Sequence, residues 1–471
     1  MVLKPSAVNL AGRGAGERAE ACEVCQLRVA MLKKSFDAVV LGGGVIGCST
    51  AFALAERGLS VGLVEKAPQV GAGATSRSSA CVRTHYSVMP NAVMANHALR
   101  FFERFDERLR VGSGNASAEE FCAGLQQPGL LLVGADDALG HSMAASVQRL
   151  ADEAAVDTRL VTRAEAEALH PLLETRDAGV FGFEPRSGFA DPHLTTSAFA
   201  RAARGLGAEL LLGCAATGLD VVGGRVAGVR TDVHGLVKAP LVFSCLNIWT
   251  GPLLGAWLGA CAGGDGAAPV ILPVRPEKHS LISLRAREPH AHAAPGGGGG
   301  GARAGAFGAL GAPFPMTKDL IQDAQPYFRP VGGGRELLVG DNLPAHRRSE
   351  DDPDNWDEGV DMEHVAFCAE IAARRFPAYA DAQITASWSG LYDISPDYNP
   401  VLGAWPELPG LSVAFGFSGH GFKLAPMVGQ MLADDALGLP PLDAACDIGK
   451  YSVGRFAAGE HLKGVYEGAA S

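Results

Sequence analysis

Three glycines, Gly42, Gly44 and Gly47, stand in the spacing G-x-G-x-x-G, with Val45 and Ile46 between the last two. An acid, Glu65, follows about twenty residues later, with Lys66 beside it. These residue types at this spacing can hold a dinucleotide. Gly42 permits a tight turn, Gly44 lets the backbone approach a pyrophosphate, and Gly47 lets a helix lie close to a strand. The carboxylate of Glu65 can accept hydrogen bonds from a ribose diol. A lone glycine pattern is weak, so the elements around it matter. The apolar run Ala38 to Leu41 reads as a buried strand, Val45 to Arg57 as a helix ended by Gly58, and Leu59 to Val64 as a second strand. Together they make a complete β-α-β unit. The bland alternative is a glycine-rich turn in an unrelated α/β domain.

A second glycine-rich turn, Gly416-Phe-Ser-Gly419-His420-Gly421, lies near the other end of the chain. It follows a strand predicted over Leu411 to Ala414 and precedes a helix predicted over Ala425 to Leu437. Nucleotide-type signals at both ends imply a discontinuous cofactor domain with substrate-binding segments inserted between its pieces. The expected boundaries are 36–110, 186–270 and 386–440 for the cofactor domain, and 111–185 with 271–385 for the substrate domain. Residues 1–35 read as a disordered extension and 441–471 as a tail. Within this frame a helix ends over Ala202 to Leu206. Strands follow over Glu209 to Gly213, Gly218 to Val222 and Arg225 to Thr231, with Gly223-Gly224 as a hairpin turn. Leu241 to Cys245 and Leu337 to Gly340 read as strands and His364 to Phe376 as a helix. Six consecutive glycines, Gly296 to Gly301, mark 292–312 as a flexible surface insertion.

A chain of 471 residues can bury a large core and implies two domains or more. Its net charge of −11 excludes the basic stripe of a nucleic-acid surface. Ten scattered cysteines, with only Cys22 and Cys25 in C-x-x-C spacing, predict no metal site and fit reduced thiols. The uncharged stretches 38–55 and 239–264 read as soluble elements, so no membrane-spanning helix is expected. Glu17, Glu20 and Glu23 argue against an import signal, and Met31 is a plausible alternative start. The expected location is cytoplasmic, with the mitochondrial matrix as the lesser alternative.

The segment from Gly416 to Gln430 resembles the flavin-wrapping motif of the D-amino-acid/glycine oxidase (DAO) superfamily, and with Lys423 it is most similar to the sarcosine oxidase branch. Three further stretches carry the resemblance: Gly73 to Tyr86, Gly188-Phe-Ala-Asp191-Pro192, and Gly390 to Asp397 with Pro400. The resemblance covers residues 36–440. It implies an α/β fold, a Rossmann-like FAD-binding domain of the glutathione-reductase type with an inserted antiparallel-sheet α+β substrate domain. It also implies an enzyme that oxidises an amine next to a carboxylate, with dioxygen or an electron carrier as acceptor. Hydride would pass from carbon to the flavin N5, leaving the protein to supply position and electrostatics.

By the same resemblance Arg83 and Lys423 clamp the substrate carboxylate, Arg as a two-pronged donor and Lys as a point charge. A lysine at a helix start opposes the helix dipole and so calls for an anionic partner. Thr75, Ser76 and Arg77 are expected at the FAD pyrophosphate or ring, and Gly390, Gly419, His420, Gly421 and Phe422 around the flavin. Tyr327 is a candidate pocket aromatic, as readily explained by strand packing. His85, Tyr86 and His279 are candidates to act on the amine proton, each more often structural. Where relatives attach flavin through cysteine or histidine, this chain carries Gly390 and Arg77, so FAD is expected to be non-covalent. Asn247 stands where the family has glycine and tolerates a left-handed backbone; Ala80 replaces another glycine. The leading expectation is a sarcosine-like secondary or N-methylated amino acid as substrate. The alternatives are a flavoprotein assembly factor for a respiratory complex and, less well supported, a flavin domain serving tRNA modification.

Overall fold

The computed structural model describes residues 35–110, 121–264, 266–287 and 314–464. The expected N-terminal extension with Cys22 and Cys25, all but residue 35, and the whole of the glycine-rich insertion at 292–312 lie outside these residues. A six-stranded sheet runs in the order Val401–Ala404, Leu411–Phe415, Leu241–Ser244, Ala38–Leu41, Val61–Glu65, Glu209–Leu212. All its pairs are parallel except the outermost, Val401–Ala404 on Leu411–Phe415. Its central strand Ala38–Leu41 is fully buried, as strands covered on both faces are. The meander strands Ala216–Val222, Arg225–Thr231 and Gly235–Lys238 form a separate antiparallel sheet.

Three helices cover one face of the parallel sheet: Val45–Glu56, Pro192–Gly205 and Gly421–Ala436. The first and last touch backbone to backbone. A Cβ on Gly429 would lie 2.6 Å from Ser49 Oγ, and that hydroxyl donates to the Ala425 carbonyl at 2.8 Å. Arg57 clamps their far ends through Asp434 at 2.6 Å. The helix after the second glycine turn begins at Gly421, earlier than the expected Ala425, so Lys423 sits in its first turn.

The second large sheet has nine strands. Leu130–Gly134, Arg159–Val161, Val180–Glu184, Arg275–Arg285, Met316–Asp319, Tyr327–Val331, Glu336–Gly340, Arg348–Ser349 and Gln383–Ile394 belong to it. It is antiparallel but for one pair, Met316–Asp319 beside Leu130–Gly134. The strand Gln383–Ile394 crosses the boundary expected at residue 386. It pairs with Arg275–Arg285 along its whole length, so packing rather than composition sets where this segment belongs. The helix Met362–Arg375 covers the sheet, and its buried Arg375 bonds Asp319 and Asp177 at 2.8 and 2.9 Å. Beyond residue 441 the chain packs back instead of trailing off. Tyr451 is fully buried and donates to Asn91, and Arg455 pairs with Asp397 at 2.9 Å. No helix among the described residues is long and apolar enough to cross a membrane.

The closest backbone approach in the first β-α-β unit predicts a test. A Cβ added at Gly47 would fall 1.8 Å from the Gly42 carbonyl oxygen. Both partners are main chain, so neither can swing aside. Gly47→Ala should lose about 1–3 kcal/mol of stability and most of its bound FAD. Thermal melting and the yellow absorbance per chain measure both. A variant that melts and binds like the parent refutes the assigned packing.

Candidate active site

The first glycine turn opens onto a cleft of about 420 Å³. Gly42 has φ +100°, a conformation natural to glycine alone, and a Cβ there would meet the Cys245 carbonyl at 2.5 Å. Gly44, Val45 and Ile46 line the cleft at the N-terminus of the first helix. Gly47 does not line it and serves packing instead. Glu65 closes the second strand, where its carboxylate accepts from the backbone N–H of Gly43 at 2.6 Å and of Ala67 at 2.7 Å. These bonds fix it at the cleft wall in position to receive hydroxyl donors.

Thr75 reaches the same helix end, its Oγ1 accepting from Val45 N–H at 3.2 Å. Arg77 lines the cleft, donates to the Ser389 carbonyl at 2.9 Å and pairs with Glu358 at 2.9 Å. Gly390 gives it room, since a Cβ there would lie 3.0 Å from Arg77 Cβ. Ser76 departs from expectation. Its hydroxyl donates to the Gly73 carbonyl at 2.9 Å within its own short 3-10 turn, and the residue is not part of the cleft wall. Lys66 lines the rim, 3.9 Å from the centroid of the Trp249 ring and 2.5 Å from Asp354. Asn247 does adopt φ +51°, and Ala80 is held at φ +50°.

The second glycine turn brings Gly419, Gly421 and Phe422 into the same cleft. A Cβ on Gly419 would strike the Tyr392 ring at 2.5 Å. His420 and Lys423 lie behind that wall, both buried. Burial, reinforced by the nearby Arg83 charge, lowers the Lys423 ammonium to about 7. Arg83 donates to the His85 carbonyl and lies over the Tyr86 ring, 4.6 Å from its centroid. Tyr86 in turn packs on His420, ring centroids 5.2 Å apart. The structure therefore joins Arg83 and Lys423, which are far apart in sequence.

His85 is buried and its imidazole is pushed down to about 3 by burial and by Arg83. It stays neutral and is a poor proton acceptor, so its contribution is the carbonyl that steadies Arg83 rather than the expected acid–base role. Tyr327 is half-buried among aromatic and polar groups. With Tyr392, His279, Asp341 and Gly390 it lines a small chamber of about 30 Å³ next to the cleft, separated from it by shared walls at Ala74, Arg77, Leu391 and Tyr392. His279 Nε2 donates to the Glu277 carboxylate at 3.0 Å, and its ring stacks on Tyr392, centroids 4.1 Å apart.

Three residues escaped the sequence reading. Lys318, in the strand Met316–Asp319, is a half-buried lysine whose Nζ donates to the Gln325 carbonyl at 2.5 Å. Burial, with Arg83 nearby, brings it to about 7 as well. It sits in an unremarkable M-T-K-D run, and nothing local marks it. Tyr392 lines both cavities. Asp393 accepts from Gly416 N–H at 2.7 Å, and its burial raises it to about 7. The signal for these two was their place just after Gly390 in a segment already singled out.

A cleft running between two glycine turns, with helix N-termini at both and an anchored acid on its wall, fits FAD. The model of the family described as FAD dependent oxidoreductase (DAO) matches residues 37–435. The chain belongs to the DAO family of FAD-dependent oxidoreductases. It is 26% identical to human mitochondrial sarcosine dehydrogenase over 85% of its own length and 40% of that protein's. It is 28% identical to 4-methylaminobutanoate oxidase (formaldehyde-forming) of Paenarthrobacter nicotinovorans over 88% of its length and 45% of the relative's. The chain thus spans less than half of these two relatives. The L-proline dehydrogenase structure from P. horikoshii superposes with a TM-score of 0.73 at 25% identity, covering 91% of this chain and all of that one. Glycine oxidase from Geobacillus kaustophilus, at 22% identity and TM-score 0.68 over 88% of this chain and 98% of that one, shares the fold. The DAO protein is an FAD-dependent oxidoreductase acting on C–N bonds of amino acids or amines.

An anion bound at the two depressed lysines would bind in a pH-dependent way. Each is protonated below about 7 and neutral above it. A carboxylate stabilises the protonated forms, so its binding takes up protons as pH rises. Glycolate affinity, followed by the flavin spectrum, should fall above about pH 7 by up to roughly tenfold per unit for each proton taken up. A flat profile from about pH 6 to pH 9 would remove both lysines from the anion site.

Proposed function

We propose that this DAO protein oxidises the C–N bond of a small secondary or N-methylated amino acid, with sarcosine as the type. The observation that carries this reading is the convergence of half-buried Arg83 and buried Lys423 behind the second glycine turn. Two cations brought together away from bulk water favour an anion beside them, and a substrate carboxylate supplies it. Arg83 offers paired N–H donors, and its guanidinium is held by the His85 carbonyl and the Tyr86 face. Lys423 adds a charge from the first helical turn, and Lys318 a third from the opposite sheet. The same positive field disfavours an ammonium group, so the substrate amine is held neutral, as loss of hydride from its neighbouring carbon requires.

The small chamber beside the cleft supports the choice of a secondary amine. Its volume of about 30 Å³ and its wall of Tyr327, Tyr392 and Gly390 suit a methyl-sized group. Tyr327 and Tyr392 share a hydrogen bond, and burial holds both hydroxyls protonated. They can orient the amine without taking its proton. Bound FAD supplies the hydride acceptor, and water hydrolyses the imine that forms. Gly42, Gly44, Val45, Ile46 and Glu65 would hold the dinucleotide end, and Thr75, Arg77, Gly390, Gly421 and Phe422 the region towards the ring. Non-covalent attachment belongs to this proposal, supported by glycine at position 390 and an arginine engaged with Ser389 and Glu358 at position 77. Cytoplasmic residence is also part of it.

Anaerobic mixing with sarcosine, dimethylglycine, proline, glycine and a D-amino-acid set tests the reading. One of the N-alkylated amines should bleach the yellow absorbance, and the rate of recovery in air separates oxidase from dehydrogenase. Arg83→Ala and Lys423→Ala should each lower kcat/KM by roughly 30- to 1,000-fold, about 2–4 kcal/mol. Parent-like kinetics in both variants would sink the clamp. Heat or acid should release FAD into the supernatant; colour retained on the precipitated chain would contradict non-covalent binding.

A further inference from the structure

We propose that Asp341, His346 and His364 form a zinc site, with Cys368 beside it, in the substrate-side half of the molecule. The four residues arrive from three elements. Asp341 directly follows the strand Glu336–Gly340, and His346 ends the turn Pro344–His346. His364 and Cys368 lie four residues apart on the helix Met362–Arg375, hence on one face of it. His346 Nδ1 is 3.1 Å from Asp341 Oδ1, and His364 Nε2 is 2.7 Å from Asp341 Oδ2. Donor atoms of these three residues all lie within 4.8 Å of one another. Cys368 Sγ approaches the same Oδ2 at 3.9 Å. Asp341, His364 and Cys368 are buried, and His346 nearly so.

The donor set selects the metal. Two imidazoles and a carboxylate are a set that suits Zn²⁺ in tetrahedral coordination and is foreign to Mg²⁺ or Ca²⁺. The Cys368 thiol lies at the edge of the cluster and donates to the Asp341 carboxylate. Three protein ligands leave the fourth position of the tetrahedron to water. Uptake of the ion displaces any proton borne by the coordinating imidazole nitrogens.

The position explains what such an ion would do. The excursion between His346 and His364 carries Asp354, which meets Lys66 at 2.5 Å and the Trp249 indole N–H at 3.0 Å. It also carries Glu358, which pairs with Arg77 at 2.9 Å. These are the contacts by which the substrate-side half reaches over the cofactor cleft. One zinc binding both ends of the excursion would close it into a loop and hold it as a strap across FAD.

The test uses the FAD-loaded protein, treated with EDTA, exposed to zinc chloride and dialysed. The parent and a His97→Gln control should retain about one zinc per chain. His346→Gln with His364→Gln should retain roughly a tenth of that or less. The zinc X-ray absorption spectrum of the parent should show imidazole nitrogen together with oxygen. A parent that retains no more zinc than the double variant, or whose spectrum shows no imidazole nitrogen, overturns the site. If the double variant fails to fold, the parent's zinc content and spectrum decide alone. Zinc should also slow FAD loss on dilution of the parent; equal rates with and without the metal overturn the strap.

Discussion

Positive charge buried against the positive end of a helix is the constraint around which this DAO protein is arranged. Lys423 lies in the first turn of the helix Gly421–Ala436, where the backbone already presents unpaired N–H groups. Arg83 and Lys318 add to the same field. Desolvation answers by lowering both lysines to about 7, which leaves them poised between charged and neutral. Holding cations there takes a rigid frame. The helix is pinned along its length to Val45–Glu56 through Gly429 and Arg57, so the ammonium cannot relax towards solvent. A site that is expensive when empty is selective when filled, because an uncharged ligand leaves the field unanswered.

Much of the cofactor half was legible in the sequence because it depends on local rules. Gly42 and Gly47 are set by distances of closest approach between main-chain atoms, and only one residue type satisfies them. A continuous apolar run and a period-3.6 pattern placed the strand Ala38–Leu41 and its helix within a residue or so. The substrate half was harder. The strand Gln383–Ile394 is polar and exposed over its first five residues, so it carries no core signature there. Its identity comes from the eleven-residue partner Arg275–Arg285, more than ninety positions earlier. Lys318 was invisible for the same reason. A lysine in a short strand is ordinarily solvated, and only the tertiary neighbours make it a half-buried charge. Ser76 failed in the opposite sense, since a serine inside a loop that resembles a binding motif satisfied its hydroxyl on its own turn. His85 failed because burial removed the basicity that made histidine attractive.

The two halves of the molecule meet over the cofactor cleft through few contacts. Arg77 engages Ser389 and Glu358, and Trp388 donates its indole N–H to the Arg77 carbonyl at 3.0 Å. Lys66, Trp249 and Asp354 form a second cluster at the rim. The pairs involving Glu358 and Asp354 are largely exposed, so each is worth little alone. Their value is geometric. They align the chamber wall of Tyr327 and Tyr392 with the cleft wall that Tyr392 shares with the glycine turns.

The strand order of the parallel sheet bears on how the protein is made. Leu241–Ser244 lies between Ala38–Leu41 and Leu411–Phe415, so the sheet's middle cannot be completed until residue 415 has left the ribosome. At ordinary elongation rates that is roughly twenty seconds to a little over a minute after the first strand emerges. The first strand gains Val61–Glu65 early, but from the synthesis of Leu241–Ser244 onwards that strand has an open edge until Leu411–Phe415 arrives. An unpaired parallel edge of this kind is exposed to wrong pairing while synthesis continues.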